Sequence, residues 1–242
     1  MTLQGQNALI TGGGTGTGRS IALALAKSGC KVGITGRRES ALAETAALVN
    51  DGSVVYQTAD VSDREDVASL MEWASKTVGD IHILVNSAGV NVPDRAVPEL
   101  SPEDFDKMMQ INCTGTYNTT WAVLPQMRAR QDGVIVNIGS IAGIRSSLLA
   151  GVGYSTSKFA MAALGRGVAL EEGDNGIRVT NIYPGEINTP ILENRPEPVS
   201  DERKAKMLQP DDIAACVVLI ASLPPTAHIA DLVIKPTNQK LQ

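Results

Sequence analysis

Short apolar runs alternate with longer stretches of helical periodicity along the whole chain, and the alternation predicts its architecture. Residues 7–11 (NALIT), 31–35 (KVGIT), 54–58, 81–85 and 134–138 (VIVNI) are brief runs rich in β-branched side chains. A strand buried on both faces of a parallel sheet reads as such a run, without polar alternation. Between the runs lie segments with helical spacing. The segment 16–28 has Ile21, Leu23, Ala24 and Leu25 on its apolar side, and others are expected near 108–130, 154–170 and 210–222. The helix at 154–170 presents Ala160, Ala162, Ala163 and Gly165, a small-residue face suited to close packing. The pattern predicts one α/β domain over 1–242, a doubly wound parallel sheet of about seven strands with helices on both faces.

The turn between the first strand and first helix reads TGGGTGTG at 11–18. Unpaired N–H groups and the positive end of a helix dipole converge at such a turn, and glycine lets a phosphate approach where a Cβ would collide. Gly12, Gly14, Thr15, Gly16, Thr17 and Gly18 are therefore candidate pyrophosphate contacts in a Rossmann-type unit. The spacing is T-G-x-x-x-G-x-G, not the commoner G-x-G-x-x-G. At the end of the second strand Gly36 stands where an acidic residue would bind the ribose hydroxyls, and Arg37 and Arg38 follow. A guanidinium suits a 2′-phosphate, so NADP(H) is expected over NAD(H). Asp60 and Val61 end the third run, where the carboxylate either accepts from an adenine amino group or belongs to a helix N-cap with Ser62 and Asp63. Asn86, Ala88 and Gly89 end the fourth and are expected to hold the central strand ends beside the cofactor.

Tyr154 and Lys158 stand one helical turn apart, on one face. An ammonium near a phenol favours the phenolate, which makes tyrosine a usable proton donor and acceptor near neutral pH. Ser140 stands fourteen positions earlier, at the carboxyl end of the 134–138 strand, where ligands of open parallel sheets bind.

Composition narrows the alternatives. A net charge of −5 disfavours nucleic acid, and no apolar run reaches membrane-spanning length. Cys30, Cys113 and Cys216 are widely spaced, with only His82 and His228 to join them, which is not a metal pattern. The expectation is a cytoplasmic protein with reduced thiols, no membrane partner and no metal. The stretch 187–207 combines Pro190, Pro196 and Pro198 with many charges and is expected to form a mobile lid over the site.

Together TGGGTGTG at Thr11, NSAG at Asn86, INCTG around Asn112, GS at Ser140, YSTSK at Tyr154 and PGEINTP at Pro184 resemble the short-chain dehydrogenase/reductase family over nearly the whole chain. The resemblance implies that Tyr154 is the general acid/base, that Ser140 orients the substrate carbonyl, and that Lys158 binds the nicotinamide ribose. It implies that Asn112 holds a water in the proton relay, and that Pro184, Gly185, Ile187 and Thr189 line the nicotinamide side. The implied substrate is a small carbonyl or alcohol compound, and the implied assembly a homodimer or homotetramer. The serine-to-tyrosine spacing is one residue longer than is common in the family. The ending LVIKPT at 232–237 replaces a glycine-rich one and bears on the tetramer. A rival reading is a catalytically idle, dinucleotide-binding regulatory protein, against which the intact Ser-Tyr-Lys-Asn set argues.

Overall fold

The computed structural model describes residues 3–239. Its strands are β1 Asn7–Thr11, β2 Lys31–Gly36, β3 Val54–Thr58, β4 Ile83–Asn86, β5 Gly133–Ile138, β6 Ile177–Pro184 and β7 Asp231–Ile234. Its helices are α1 Gly16–Lys27, α2 Glu39–Ala47, α3 Arg64–Thr77, α4 Pro102–Met109, α5 Gly115–Arg130, α6 Val152–Glu172, α7 Asp201–Ala205 and α8 Pro210–Ala221. All strand pairs are parallel, in the order β3-β2-β1-β4-β5-β6-β7. The chain is thus the doubly wound, seven-stranded Rossmann-type sheet that the alternation predicts. Among the described residues no helix is long and apolar enough to cross a membrane.

Strand residues alternate between two cores because successive side chains point to opposite faces. Ala8 and Ile10 pack with Ile21 and Leu25 of α1 and Ile213 and Val217 of α8, whereas Leu9 packs with Leu70 of α3 and Val123 and Met127 of α5. Each fully buried aliphatic side chain contributes about 1.5–3 kcal/mol relative to exposure.

A polar ladder crosses this sheet. Asn86 Nδ2 donates to Asn137 Oδ1 at 2.9 Å, Asn137 Nδ2 to Asn181 Oδ1 at 3.0 Å, and Asn181 Nδ2 to Asp231 Oδ1 at 3.3 Å. Thr119 closes one end on Asn86 Oδ1 at 2.7 Å, and Arg166 and Tyr183 close the other on Asp231. Buried amides are tolerated because each is paired. Gly165 of α6 lies directly on the ladder, where a Cβ would collide with Asn181 and Asn137. The small-residue face of α6 therefore lets the helix that carries Tyr154 and Lys158 sit close against the sheet.

The periodic segment near 108–130 is not one regular helix. Between α4 and α5, Gln110–Thr114 form a π-helical turn, an insertion often found at functional sites, with Asn112 at its centre. The C-terminal segment continues past β7 and folds back, so that Gln239 Oε1 accepts from the Glu186 N–H at 3.1 Å.

Candidate active site

The site lies beyond the carboxyl ends of β1 and β4, where strand order reverses and open α/β sheets bind ligands. Thr11 Oγ1 ties these ends together by accepting from the Ser87 and Ala88 N–H groups, each at 3.0 Å. A cleft of about 290 Å³ opens there, lined by Gly12, Gly14, Thr15, Arg37, Arg38, Asp60, Val61, Ala88 and Gly89 of the expected cofactor contacts. Gly36 lines it at the end of β2, as expected, and Val90 and Ile111 also line it and were not foreseen. The cleft suits a dinucleotide by its own geometry. Gly12 has φ of 67° and meets Ala88 backbone, Gly14 lets the turn pack closely on Ala41 of α2, and α1 begins at Gly16 with no acidic residue in its first turn. Gly16 faces Thr189, and Gly18 lets α1 pack on the Gly12 carbonyl. Thr17 is half-buried in the first turn of α1. Arg19 braces the turn from outside, donating to the Gly14 carbonyl through Nε at 3.0 Å and Nη2 at 2.6 Å.

Asp60 lines the cleft and belongs to the loop that leads into α3. Its Oδ1 accepts from the Ser62 N–H and hydroxyl, while its Oδ2 lies 3.9 Å from Arg37 Nη1. Asp63, not Asp60, caps α3. Asn86 contributes through the ladder and holds the end of β4 rather than facing the cleft with its side chain.

Asn112, Ser140 and the Tyr154–Lys158 pair converge although they come from three separate places in the sequence. The Ser140 hydroxyl stands beside the Tyr154 phenol. Burial pushes the phenol pKa up, and the Ser140 hydroxyl and the charge of Arg95 pull it back. Lys158 is 3% exposed, with Nζ 5.7 Å from the Tyr154 ring centre and 2.9 Å from the Ile138 carbonyl it donates to. Burial lowers its pKa to about 8. Asn112 is fully buried and does not interrupt the helix idly. Its Oδ1 accepts from the Val90 N–H at 2.8 Å, and its Nδ2 donates to the Val90 carbonyl and to Ser157 Oγ, each at 2.9 Å. Ser157 passes the chain of bonds to the Tyr154 carbonyl at 2.8 Å. Gly89 approaches Asn112 and Lys158, each 3.4 Å from the position of a Cβ there.

The expected nicotinamide side is a braced wall. Pro184 ends β6, the Gly185 N–H donates to the Ile234 carbonyl at 2.7 Å, and Ile187 forms a bridge with Leu208. The proline-rich stretch beyond it contains a short 3₁₀ turn, Pro190–Asn194, and α7. Arg195 and Arg203 fasten it to Glu186 Oε1 at 2.9 and 2.8 Å. Arg95 is the charged neighbour of Tyr154 that the sequence reading missed, since it sits in an aperiodic loop and owes its place to contacts remote in sequence.

The comparisons agree with this geometry. An uncharacterised oxidoreductase of Staphylococcus saprophyticus is 37% identical over 237 residues, covering 97% of this chain and 98% of the relative. The closed form of a serine dehydrogenase complexed with NADP+ superposes with a TM-score of 0.89 at 29% identity, covering 97% of this chain and 96% of that one. A 3-ketoacyl-(acyl-carrier-protein) reductase from Brucella melitensis complexed with NADH gives a TM-score of 0.89 at 28% identity, covering 98% of this chain and 99% of that one. The family model described as short chain dehydrogenase matches residues 6–200, so the chain belongs to the short-chain dehydrogenase/reductase family and is an oxidoreductase acting on CH–OH groups.

Proposed function

We propose that the protein interconverts a ketone and a secondary alcohol with NADP(H), and that a 3-oxoacyl compound or another small ketone is its substrate. The observation that carries this reading is the Ser140 hydroxyl beside the Tyr154 phenol and a buried Lys158, at the end of a glycine-lined cleft. A nicotinamide dinucleotide bound in that cleft supplies or accepts the hydride. Ser140 donates to the substrate oxygen and holds it against Tyr154. Tyr154 Oη gives a proton to that oxygen in reduction and takes it in oxidation. Lys158 brings positive charge to the dinucleotide ribose, and Asn112, fixed by Val90 and Ser157, supports the exit route of the proton. Residues 187–207 cover the pocket as a lid. Dinucleotide-linked assays with a panel of ketones and secondary alcohols test the reading. Absence of any turnover with NADPH or NADH across that panel would overturn it.

NADP preference rests on Arg37. Its pairing with Asp60 is exposed, worth about 0–1 kcal/mol, so a 2′-phosphate takes the guanidinium at little cost. A charge-assisted phosphate contact is worth about 1.5–3 kcal/mol, or roughly ten- to a hundredfold. Arg37→Ala is therefore expected to raise KM for NADPH by roughly that factor and to change KM for NADH little, as steady-state kinetics with both cofactors will show. A wild-type preference for NADH would sink the assignment.

Homo-oligomerisation draws support from the exposed apolar side chains of α5 and α6. Tyr117 and Trp121 are 43% and 64% exposed one turn apart on α5, and Phe159 and Val152 are 42% and 44% exposed two turns apart on α6. Such stripes mark association surfaces, and two-fold pairs are the commonest closed assemblies. Sedimentation at micromolar concentration is expected to give at least a dimer for the wild type and a monomer for Trp121→Glu. A monomeric wild type would contradict this.

A further inference from the structure

More positive charge stands beside Tyr154 than the neighbouring groups neutralise. Arg95 is 8% exposed, and its three described hydrogen bonds all end on main-chain carbonyls, those of Val92, Leu149 and Asn194. Carbonyls satisfy its N–H groups but carry no net charge. Arg195 follows Asn194 directly, and its side chain is 11% exposed. Its Nη2 donates to Glu186 Oε1 at 2.9 Å, while its Nη1 is buried with no hydrogen-bond partner. The same Glu186 oxygen also accepts from Arg203 at 2.8 Å. One carboxylate thus serves two guanidinium groups, and the third, Arg95, has none among the described residues. A buried cation without a counter-charge is costly, and a like charge beside it adds to the cost. Arg95 shows both effects, its pKa being lowered first by burial and then by Arg195. An arrangement that is costly alone is relieved when a ligand brings the missing anion.

Arg95 is also well placed. Arg95 abuts Gly151, where a Cβ would lie 2.6 Å from the Arg95 Cβ, and Gly151 stands immediately before α6 and three residues before Tyr154. Its charge reaches the Tyr154 phenol. We propose that the substrate carries a carboxylate close to its reacting carbon, and that Arg95 and Arg195 hold that carboxylate while Ser140 and Tyr154 hold the carbonyl oxygen. The proposal rests on the carbonyl-reductase reading of the site and names its substrate class, a short oxo or hydroxy acid. The buried Nη1 of Arg195 supplies the spare donor, and guanidinium groups recognise carboxylates through directed, charge-assisted bonds.

Arg95 also ties three loops together, so its removal would confound folding with recognition. Arg195 is the cleaner probe. The acid and its ester are compared as 3-hydroxybutanoate and methyl 3-hydroxybutanoate, at saturating NADP+, in the wild type, Arg195→Met and Arg195→Lys. The wild type is expected to favour the acid in kcat/KM by at least about tenfold, and Arg195→Met to lower the acid-to-ester ratio by at least about tenfold, through KM. Arg195→Lys is expected to recover part of the ratio. A wild type that favours the ester, or an equal loss on both compounds, overturns the proposal. A second measurement does not depend on turnover. Calorimetric titration of NADP+-loaded Tyr154→Phe protein is expected to show butanoate binding at least about tenfold tighter than butanamide, a difference lost when Arg195→Met is added. Equal binding of the two overturns the carboxylate site even where the oxidoreductase reading stands. Loss of turnover on every secondary alcohol, with butanoate still preferred, overturns the oxidoreductase reading instead.

Discussion

Replacing Tyr154 by phenylalanine is expected to lower kcat by about 10²-fold or more, the usual consequence of losing a positioned acid/base group. The substitution keeps the ring, and with it the contact with Lys158, whose Nζ lies 5.7 Å from the ring centre. What it removes is the phenol oxygen beside the Ser140 hydroxyl. Dinucleotide affinity is expected to stay within about twofold, because the cleft lining is drawn from the ends of β1 to β4, from α2 and from the π-helical turn and does not include the tyrosine. Stopped-flow or steady-state assays in both directions separate the two quantities. A turnover within about threefold of the wild type would remove the phenol from the proton transfer and leave Ser140 and Lys158 without a partner in the mechanism.

What the chain discloses before folding is its local physics. Strands at 7–11 and 54–58 match β1 and β3 residue for residue, because short runs rich in β-branched side chains and bounded by glycine or polar residues favour strands both in the buried β1 and in the half-buried edge strand β3. The glycine turn is legible for the same reason, since φ of 67° at Gly12 and 52° at Gly16 admits few other residues. Long-range arrangements are not legible. Asn112 looks like an interruption of a helix, and only the π-helical turn and the Val90 backbone give its amide a full set of partners. The segment 108–130 misled for that reason, as helical periodicity continues through a one-residue insertion. Arg95 stands in a loop without periodicity, and its bonds reach 54 and 99 residues along the chain to Leu149 and Asn194. The ladder from Asn86 to Asp231 joins four strands whose asparagines, taken singly, are unremarkable polar residues in apolar runs.

The second large effect is expected at Lys158, where activity and stability should move in opposite directions. Lys158→Met keeps the length of the side chain and removes an ammonium that is 3% exposed. Turnover is expected to fall by roughly 10²-fold, as for other losses of a fixed charge or donor at a reacting centre. Stability should rise. Burial lowers the lysine pKa from 10.5 to about 8, so folding works against this charge. Below pH 8 the group is protonated in both folded and unfolded chains, and the full penalty applies. Between pH 8 and 10.5 the unfolded chain binds the proton and the folded chain releases it, so the wild type gains stability as pH rises through that window. The methionine variant lacks this gain. Loss of the 2.9 Å bond to the Ile138 carbonyl offsets part of the relief, leaving a net increase on the order of 1 kcal/mol at pH 7. For a chain of this size that corresponds to a Tm higher by about 2–4 °C, shrinking as pH rises from 8 towards 10.5. Thermal unfolding of both proteins across that range, with activity measured alongside, checks the pair of effects. Parallel Tm profiles, or a variant less stable at pH 7, would show that the buried ammonium is not under strain and that the site holds its lysine without cost to the fold.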